Sequence, residues 1–209
     1  MNITDIKLYI IKNGKYRTIS TQKAKITPRK QVNIEPNMNL EIGSDRIKNN
    51  FGNDWHTLDI KDSADIVHDL EEFPYPIYSN AYEVVYMSHV LEHIRWTETH
   101  KVLTELYRIL KPGGAVEIFV PDFDKIIKGY TDNEIPEAWS HANPERNLYK
   151  WINGRIFAYG EPENLHKACF NYEYLEQCLQ TAGFKDIERL KKPRGYDHGY
   201  INLGIKGIK

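Results

Sequence analysis

The chain has 209 residues, of which 41% are hydrophobic, and this suits one domain with a sizeable core. Its 28 basic and 29 acidic side chains give a net charge of -1, so neither a nucleic acid nor a membrane surface is indicated as a partner. No apolar stretch is long enough to span a membrane and no signal-peptide core is present, so we expect a cytoplasmic protein. The cysteines, Cys169 and Cys178, lack CxxC spacing and predict neither a disulfide framework nor a zinc knuckle.

The N-terminal part of the chain is predicted to form a β-hairpin followed by a linker. Residues 7–20 contain good strand formers on both sides of Asn13-Gly14, a pair that suits a type I′ turn because both positions need positive φ. Pro28 and Pro36 bracket the next stretch, which is poor in apolar residues. We interpret the hairpin as a lid strand or edge extension, with a surface for a partner or second subunit as the alternative.

Residues 82–121 carry the clearest pattern in the chain. An apolar run over 82–87 predicts a buried strand. The amphipathic stretch that follows predicts a helix that stops at Lys111-Pro112-Gly113-Gly114. A second apolar run over 115–120 predicts another strand, so the block forms a parallel pair with a right-handed crossover. Ligands of such sheets bind at the carboxyl ends of the strands.

This block resembles the class I S-adenosylmethionine-dependent methyltransferases, in particular the small type 11 group. The matching residues are Leu91-Glu92-His93 after the first strand and 108–114 at the end of the helix. The resemblance extends over roughly residues 38–190. It implies an α/β fold with a doubly wound, mostly parallel seven-stranded sheet of the Rossmann-like methyltransferase kind, to which the N-terminal hairpin and a lid-like insertion are added.

The implied domain organisation is a hairpin with its linker over residues 1–36 and a methyltransferase domain over 37–209. The lid-like insertion occupies about 129–166, a stretch that is rich in aromatic residues and too long for a plain loop. Similar proteins have a variable segment here that covers the substrate. Its aromatic side chains either border the acceptor or fill a satellite core; the candidates for the acceptor side are Trp139, Trp151 and Tyr159. Near 184–190 and 199–206 we expect two final antiparallel strands.

The resemblance also implies S-adenosylmethionine as the cofactor and assigns its contacts by position. Gly43 follows the first strand, where the family has a glycine loop that approaches the methionine part of the cofactor. Asp45 stands where a second glycine is expected, and its carboxylate either accepts a bond from the cofactor's amino group or blocks binding. Asp59 is assigned to the ribose hydroxyls, with a turn or cap residue as the alternative. The cofactor candidates are Gly43, Ser44, Asp45, Asp59, Asp69, Leu70, Ser88 and His89.

The resemblance also implies which part of the cofactor the other candidates contact. Asp69 and Leu70 end the third strand beside the adenine, and the alternative for Asp69 is a residue that caps the turn before Pro74. Ser88 and His89 end the fourth strand and face the sulfonium. The implied reaction is transfer of the methyl group to a small-molecule or glycan acceptor at a hydroxyl.

His166 and His89 are the catalytic candidates. An imidazole titrates near neutral pH, so His166 is a candidate general base, and a helix cap or a hydrogen bond in the pocket wall is the alternative. No metal site is predicted, although His89-x-x-Glu92-His93 matches a zinc-protease signature. That signature needs a helix that carries both histidines and a third ligand downstream, so Glu92 and His93 are interpreted as structural.

Two other functions fit the same fold. The first is a catalytically silent binding protein that has the methyltransferase fold without the second glycine. The second is a nucleotide-dependent oxidoreductase, which needs a G-x-G-x-x-G loop after the first strand. Residues 41–50 lack that pattern.

Overall fold

The computed structural model describes residues 8–12, 15–19, 38–43, 51–136, 143–160 and 164–209. The chain divides into two compact units, Met1–Lys30 and Gln31–Lys209. In the first unit, β1 (Leu8–Lys12) and β2 (Lys15–Ile19) pair antiparallel, as the sequence predicts. The predicted turn at Asn13-Gly14 and the linker that follows lie outside the described residues.

The second unit contains a seven-stranded sheet. Its strands are β3 (Met38–Ile42), β4 (Trp55–Asp59), β5 (Ile66–Val67), β6 (Tyr82–Ser88), β7 (Leu110–Pro121), β8 (Lys185–Leu190) and β9 (Asn202–Ile208). They are arranged in the order β5-β4-β3-β6-β7-β9-β8. The neighbours from β5 to β7 pair parallel, whereas β9 pairs antiparallel with both β7 and β8. The predicted fold class is confirmed, and only β8 of the last antiparallel pair forms the sheet edge.

Four α-helices lie in the described part of the second unit: α1 (Thr99–Ile109), α2 (Phe123–Thr131), α3 (Leu148–Phe157) and α4 (Tyr172–Ala182). The apolar sides of α1 and α4 pack together on one face of the sheet, where they bury Leu103, Leu106, Leu175 and Leu179 against the strands. None of these helices combines the length and the apolar character that a membrane crossing needs.

The ends of α1 and α4 follow from local sequence. The side chain of Asn171 accepts a hydrogen bond from the Tyr174 N–H at the start of α4. Gly183, which follows its end, has φ of 106°, a left-handed conformation that glycine adopts without strain. α1 ends at Ile109, before the predicted stop sequence, because β7 begins at Leu110, which pairs with Tyr82 of β6.

The predicted insertion is only partly irregular, because α3 lies within it and packs on α2. The two helices share a small apolar cluster in which Trp151 is 2% exposed, together with Ile126 and Ile201. Trp151 is therefore a residue of a satellite core, and its prediction as an acceptor contact is corrected. Tyr159 is partly exposed and its hydroxyl donates to the Trp151 carbonyl. The third candidate, Trp139, lies outside the described residues.

Candidate active site

Three neighbouring parallel strands end together at one rim of the sheet. The Gly43 N–H donates to the Leu58 carbonyl at 2.9 Å, and the His89 N–H donates to the Phe119 carbonyl at 2.8 Å. Asp59 is the last residue of β4, the strand beside β3. Gly43 and His89 have φ of 81° and 53°, so the chain turns sharply away from the sheet at both positions. Three of the predicted site residues therefore lie at the same rim of the sheet.

Gly43 is required at this rim for two separate reasons. Its positive φ is a conformation that side chains other than glycine rarely adopt. In addition, a Cβ at this position would run into the side chain of Val90, which follows β6. The predicted contacts Ser44 and Asp45 come next in the chain and lie outside the described residues.

The Asp59 carboxylate is half-buried and forms a hydrogen bond with the backbone that follows it. Its Oδ1 accepts a hydrogen bond from the Lys61 N–H at 3.1 Å, so Asp59 does form a turn, which was the alternative to ribose binding. A carboxylate has about four acceptor positions on two oxygens, so a vicinal diol can bind in addition to the turn. The turn is therefore compatible with the predicted ribose contact, which stays a prediction.

Asp69 and Leu70 lie beyond the end of a shorter strand than the sequence predicts. β5 stops at Val67, because Asp69 forms a turn in which its Oδ1 accepts from the Glu71 N–H at 2.8 Å. The Asp69 residue is exposed. The Leu70 side chain is buried in the core and its carbonyl accepts the Tyr75 hydroxyl at 3.0 Å. The predicted third strand through Leu70 is thus corrected.

Ser88 ends β6 and His89 follows it, with its ring held by three neighbouring side chains. Its Nε2 lies 2.8 Å from Oδ1 of Asn202, and its Nδ1 lies 3.1 Å from Oε1 of Glu92. The ring also packs against His198, with 3.9 Å between centroids. The half-buried Ser88 is the last residue of the strand, paired with β7.

The charges of His89 and Glu92 stabilise each other. Burial by itself lowers the pKa of His89, but the adjacent Glu92 carboxylate and the Asn202 contact outweigh it, so the pKa is raised. Burial by itself raises the pKa of Glu92, and the imidazoles of His89 and His93 outweigh it, so this pKa is lowered. Each group therefore favours the charged form of the other, although their contact lacks hydrogen-bond alignment.

His166 lies beside this pair, close to His93. The two imidazole centroids are 4.9 Å apart, and each Nδ1 is near a backbone carbonyl: His166 is 3.1 Å from Arg155 O, and His93 is 3.4 Å from Leu165 O. Burial, the dominant influence, lowers the pKa of His166. The helix-cap alternative for His166 does not hold, since Asn171 caps α4, whereas the wall hydrogen bond is present.

A surface cavity of about 390 Å³ adjoins His166. Its wall also includes Trp96, Phe157, Lys167 and Tyr174, so it combines aromatic surface with a cation. This is the kind of lining that accommodates a small acceptor with an apolar face.

The sequence did not indicate that Glu92 and His93 would meet His166. The match of residues 89–93 to a zinc signature pointed to Glu92 and His93. It could not point to His166, which lies on a segment far along the chain. The contacts of Asn202 and His198 with His89 had no signal at all, since both belong to the C-terminal segment around β9.

Comparisons with known proteins identify the family. A family model described as a methyltransferase domain matches residues 21–189. The ubiquinone/menaquinone biosynthesis C-methyltransferase UbiE of Hydrogenovibrio crunogenus is 25% identical over 166 residues, which are 75% of this chain and 56% of that protein. The chain thus spans just over half the length of this curated relative.

Solved structures agree on the fold. A SAM dependent methyltransferase from Archaeoglobus fulgidus superposes with a TM-score of 0.51 at 17% identity, over 83% of this chain and 86% of that one. A possible exported protein from Bordetella parapertussis has a TM-score of 0.53 at 10% identity, over 84% of this chain and 63% of that one. The family and fold support S-adenosylmethionine as the cofactor, as the sequence predicts.

Proposed function

Because this chain belongs to the methyltransferase domain family, we propose that it transfers a methyl group from S-adenosylmethionine to a hydroxyl of a small-molecule or glycan acceptor. The observation that carries the proposal is the rim at which Gly43, Asp59 and His89 lie at or directly after the ends of three adjacent strands. The cofactor, when bound, supplies a methyl group on a reactive sulfonium. The protein then has to hold donor and acceptor in line and exclude water.

The rim residues divide the work of cofactor binding. Asp59 accepts hydrogen bonds from the ribose diol with the oxygen positions that its turn leaves available. The tight turn at Gly43 brings the backbone after β3 toward the methionine part. Further contacts are proposed at the adenine and sulfonium ends, from Ser44, Asp45, Asp69, Leu70, Ser88 and His89.

His166 is the proposed base for the acceptor hydroxyl. A carbonyl oxygen only accepts, so the contact with Arg155 O requires the proton on Nδ1 and leaves the lone pair on Nε2. The lowered pKa of His166 keeps the ring neutral at pH 7. The acceptor proton can therefore move to Nε2 as the methyl group is transferred. His89, the second catalytic candidate, is held by Glu92 and Asn202, which fix the orientation of its ring at the rim.

The proposal is tested by incubating the full chain with methyl-labelled S-adenosylmethionine and a panel of hydroxyl, amine and carbon acceptors, followed by mass spectrometry. We expect label on a hydroxyl-bearing acceptor, with turnover lost in His166→Gln and kept in His100→Gln, a variant of an exposed histidine on α1. Label on nitrogen or carbon alone contradicts the acceptor class. Cofactor binding without any transfer identifies a silent binding protein, and absence of binding by calorimetry overturns the cofactor assignment.

A further inference from the structure

The group of Glu92, His93 and His166 contains a buried carboxylate whose oxygens accept no hydrogen bond in the described part of the chain. Glu92 is 1% exposed, and neither carboxylate oxygen has a hydrogen bond within the described part of the chain. The contact of Oε1 with His89 at 3.1 Å is its one ion pair there. A buried carboxylate is costly unless it is paired and hydrogen-bonded or coordinates a metal, so Oε2 in particular calls for a ligand.

The two histidines present their remaining nitrogens as lone-pair donors. Each Nδ1 faces a backbone carbonyl, Arg155 O for His166 and Leu165 O for His93. Because a carbonyl can only accept, these contacts put the proton on Nδ1 and the lone pair on Nε2. Metal-binding histidines almost always show this arrangement, in which the second ring nitrogen donates to a carbonyl or carboxylate.

The ligand atoms are already close together. One ligand atom from each of Glu92, His93 and His166 lies within 4.8 Å of the other two. Ligands of a tetrahedral zinc ion with bonds of about 2.1 Å are roughly 3.4 Å apart, so side-chain movements of about an ångström close the site. Both histidines are partly exposed and can make such movements, whereas Glu92 is fixed.

The backbone holds the two ligand-bearing segments side by side. The N–H groups of Lys167 and Ala168 donate to the Glu92 carbonyl at 2.7 and 3.1 Å, directly next to His166. His89 in turn orients the Glu92 carboxylate. A metal site needs such outer contacts, because they fix the direction of the ligands before the ion binds.

We propose that Glu92, His93 and His166 form a binding site for a divalent transition metal ion of the zinc type. Two imidazoles and one carboxylate are a ligand set of catalytic zinc sites, which leave a fourth position for water or substrate. His166 also lines the 390 Å³ cavity, so that position is within reach of an acceptor. The proposal does not rest on methyl transfer. While the metal is bound, Nε2 of His166 is a ligand and not a base.

The test uses the tag-free full chain without cofactor. The protein is stripped with a chelator, incubated with Zn²⁺, separated from free metal and measured for metal per chain, and its affinity is determined by competition with a chromophoric chelator. Co²⁺ replaces Zn²⁺ for a second readout, since its visible absorption reports tetrahedral coordination. The variants are Glu92→Gln, His93→Ala and His166→Ala, with His100→Ala on the exposed face of α1 as the matched control.

We expect one metal ion per chain in the wild type and in His100→Ala, a rise in melting temperature with zinc, and at least ~10-fold weaker binding in each ligand variant. Circular dichroism checks that the variants fold, and Glu92→Asp, which keeps the charge on a shorter side chain, replaces Glu92→Gln if the latter does not. Stoichiometry well below one, or binding in the ligand variants equal to that of His100→Ala, overturns the proposal. Either result leaves the cofactor assignment untouched, because calorimetry with S-adenosylmethionine measures that separately.

Discussion

Replacing Asp59 by asparagine tests the ribose contact with little disturbance of the rim. The Asp59→Asn side chain has the same shape, and its remaining oxygen can accept from the Lys61 N–H as Oδ1 does at 3.1 Å. The new amide group cannot accept from a hydroxyl, and the negative charge is lost. The variant therefore removes the proposed bonds to the diol while it keeps the turn after β4.

The expected size of the effect follows from the nature of those bonds. A hydrogen bond to a charged group contributes about 1.5–3 kcal/mol, and each 1.4 kcal/mol is a tenfold change in affinity. Asp59 is half-buried, so water competes for its oxygens and the lower end of that range applies. We therefore expect the Kd for S-adenosylhomocysteine to rise about tenfold.

Isothermal titration calorimetry measures this change, and Asp62→Asn serves as the control. Asp62 is an exposed carboxylate in the loop directly after β4, so its variant makes the same charge change near the same rim. The control should bind within about twofold of the wild type. Equal affinities for Asp59→Asn, Asp62→Asn and the wild type would refute the assignment of Asp59 to the ribose.

Three further predictions concern stability, each measured by thermal or denaturant unfolding. Gly43→Ala should cost more than Gly113→Ala, because both have positive φ but only Gly43 has a side chain, that of Val90, in the place of the new methyl group; equal costs would contradict the packing argument. Glu105→Gln should lower the melting temperature by ~1–4 °C at pH 7. Burial acts to raise the pKa of Glu105, but the hydrogen bonds from Arg108 and the Tyr75 backbone outweigh it, so this pKa is lowered. The stabilisation is therefore present above the ordinary value of 4.5 and is lost as the pH falls through the lowered pKa; a difference in melting temperature that does not shrink as the pH is lowered from 7 would contradict this. Trp151→Ala should cost about 3–5 kcal/mol and leave cofactor affinity unchanged, as a satellite-core residue does; a folded variant with a selective loss of turnover would restore its acceptor role.

The sheet could be predicted because its central strands are largely buried and carry mostly apolar runs. β6 and β7 are the clearest cases, since their residues Val85, Met87, Val116 and Ile118 are fully buried. β5 is different, because only two residues, Ile66 and Val67, pair with β4. A pattern needs several residues to show a period, so the end of so short a strand could not be located from sequence.

Side-chain environments were harder to predict than strands. The aromatic residues of the insertion have the same sequence character whether they face a ligand or a core. Trp151 is buried because α3 lies against α2 and Gly129 leaves room for the indole, where a Cβ would be only 2.6 Å from the ring. Nothing in the local sequence around Trp151 reports the glycine on the other helix.

For the histidines, the sequence motif failed to predict which side chains come together. The spacing His89-x-x-Glu92-His93 predicts a zinc site only where one helix carries both histidines, and here His89 and His93 are separated by a tight turn after β6. Motif spacing detects ligands that one element presents together. The cluster found instead contains His166, which is brought to Glu92 by hydrogen bonds from the two following N–H groups to the Glu92 carbonyl. Because that pairing involves backbone atoms alone, no residue type in either segment encodes it. The cluster could therefore be recognised only from the folded structure, in which the two segments lie side by side.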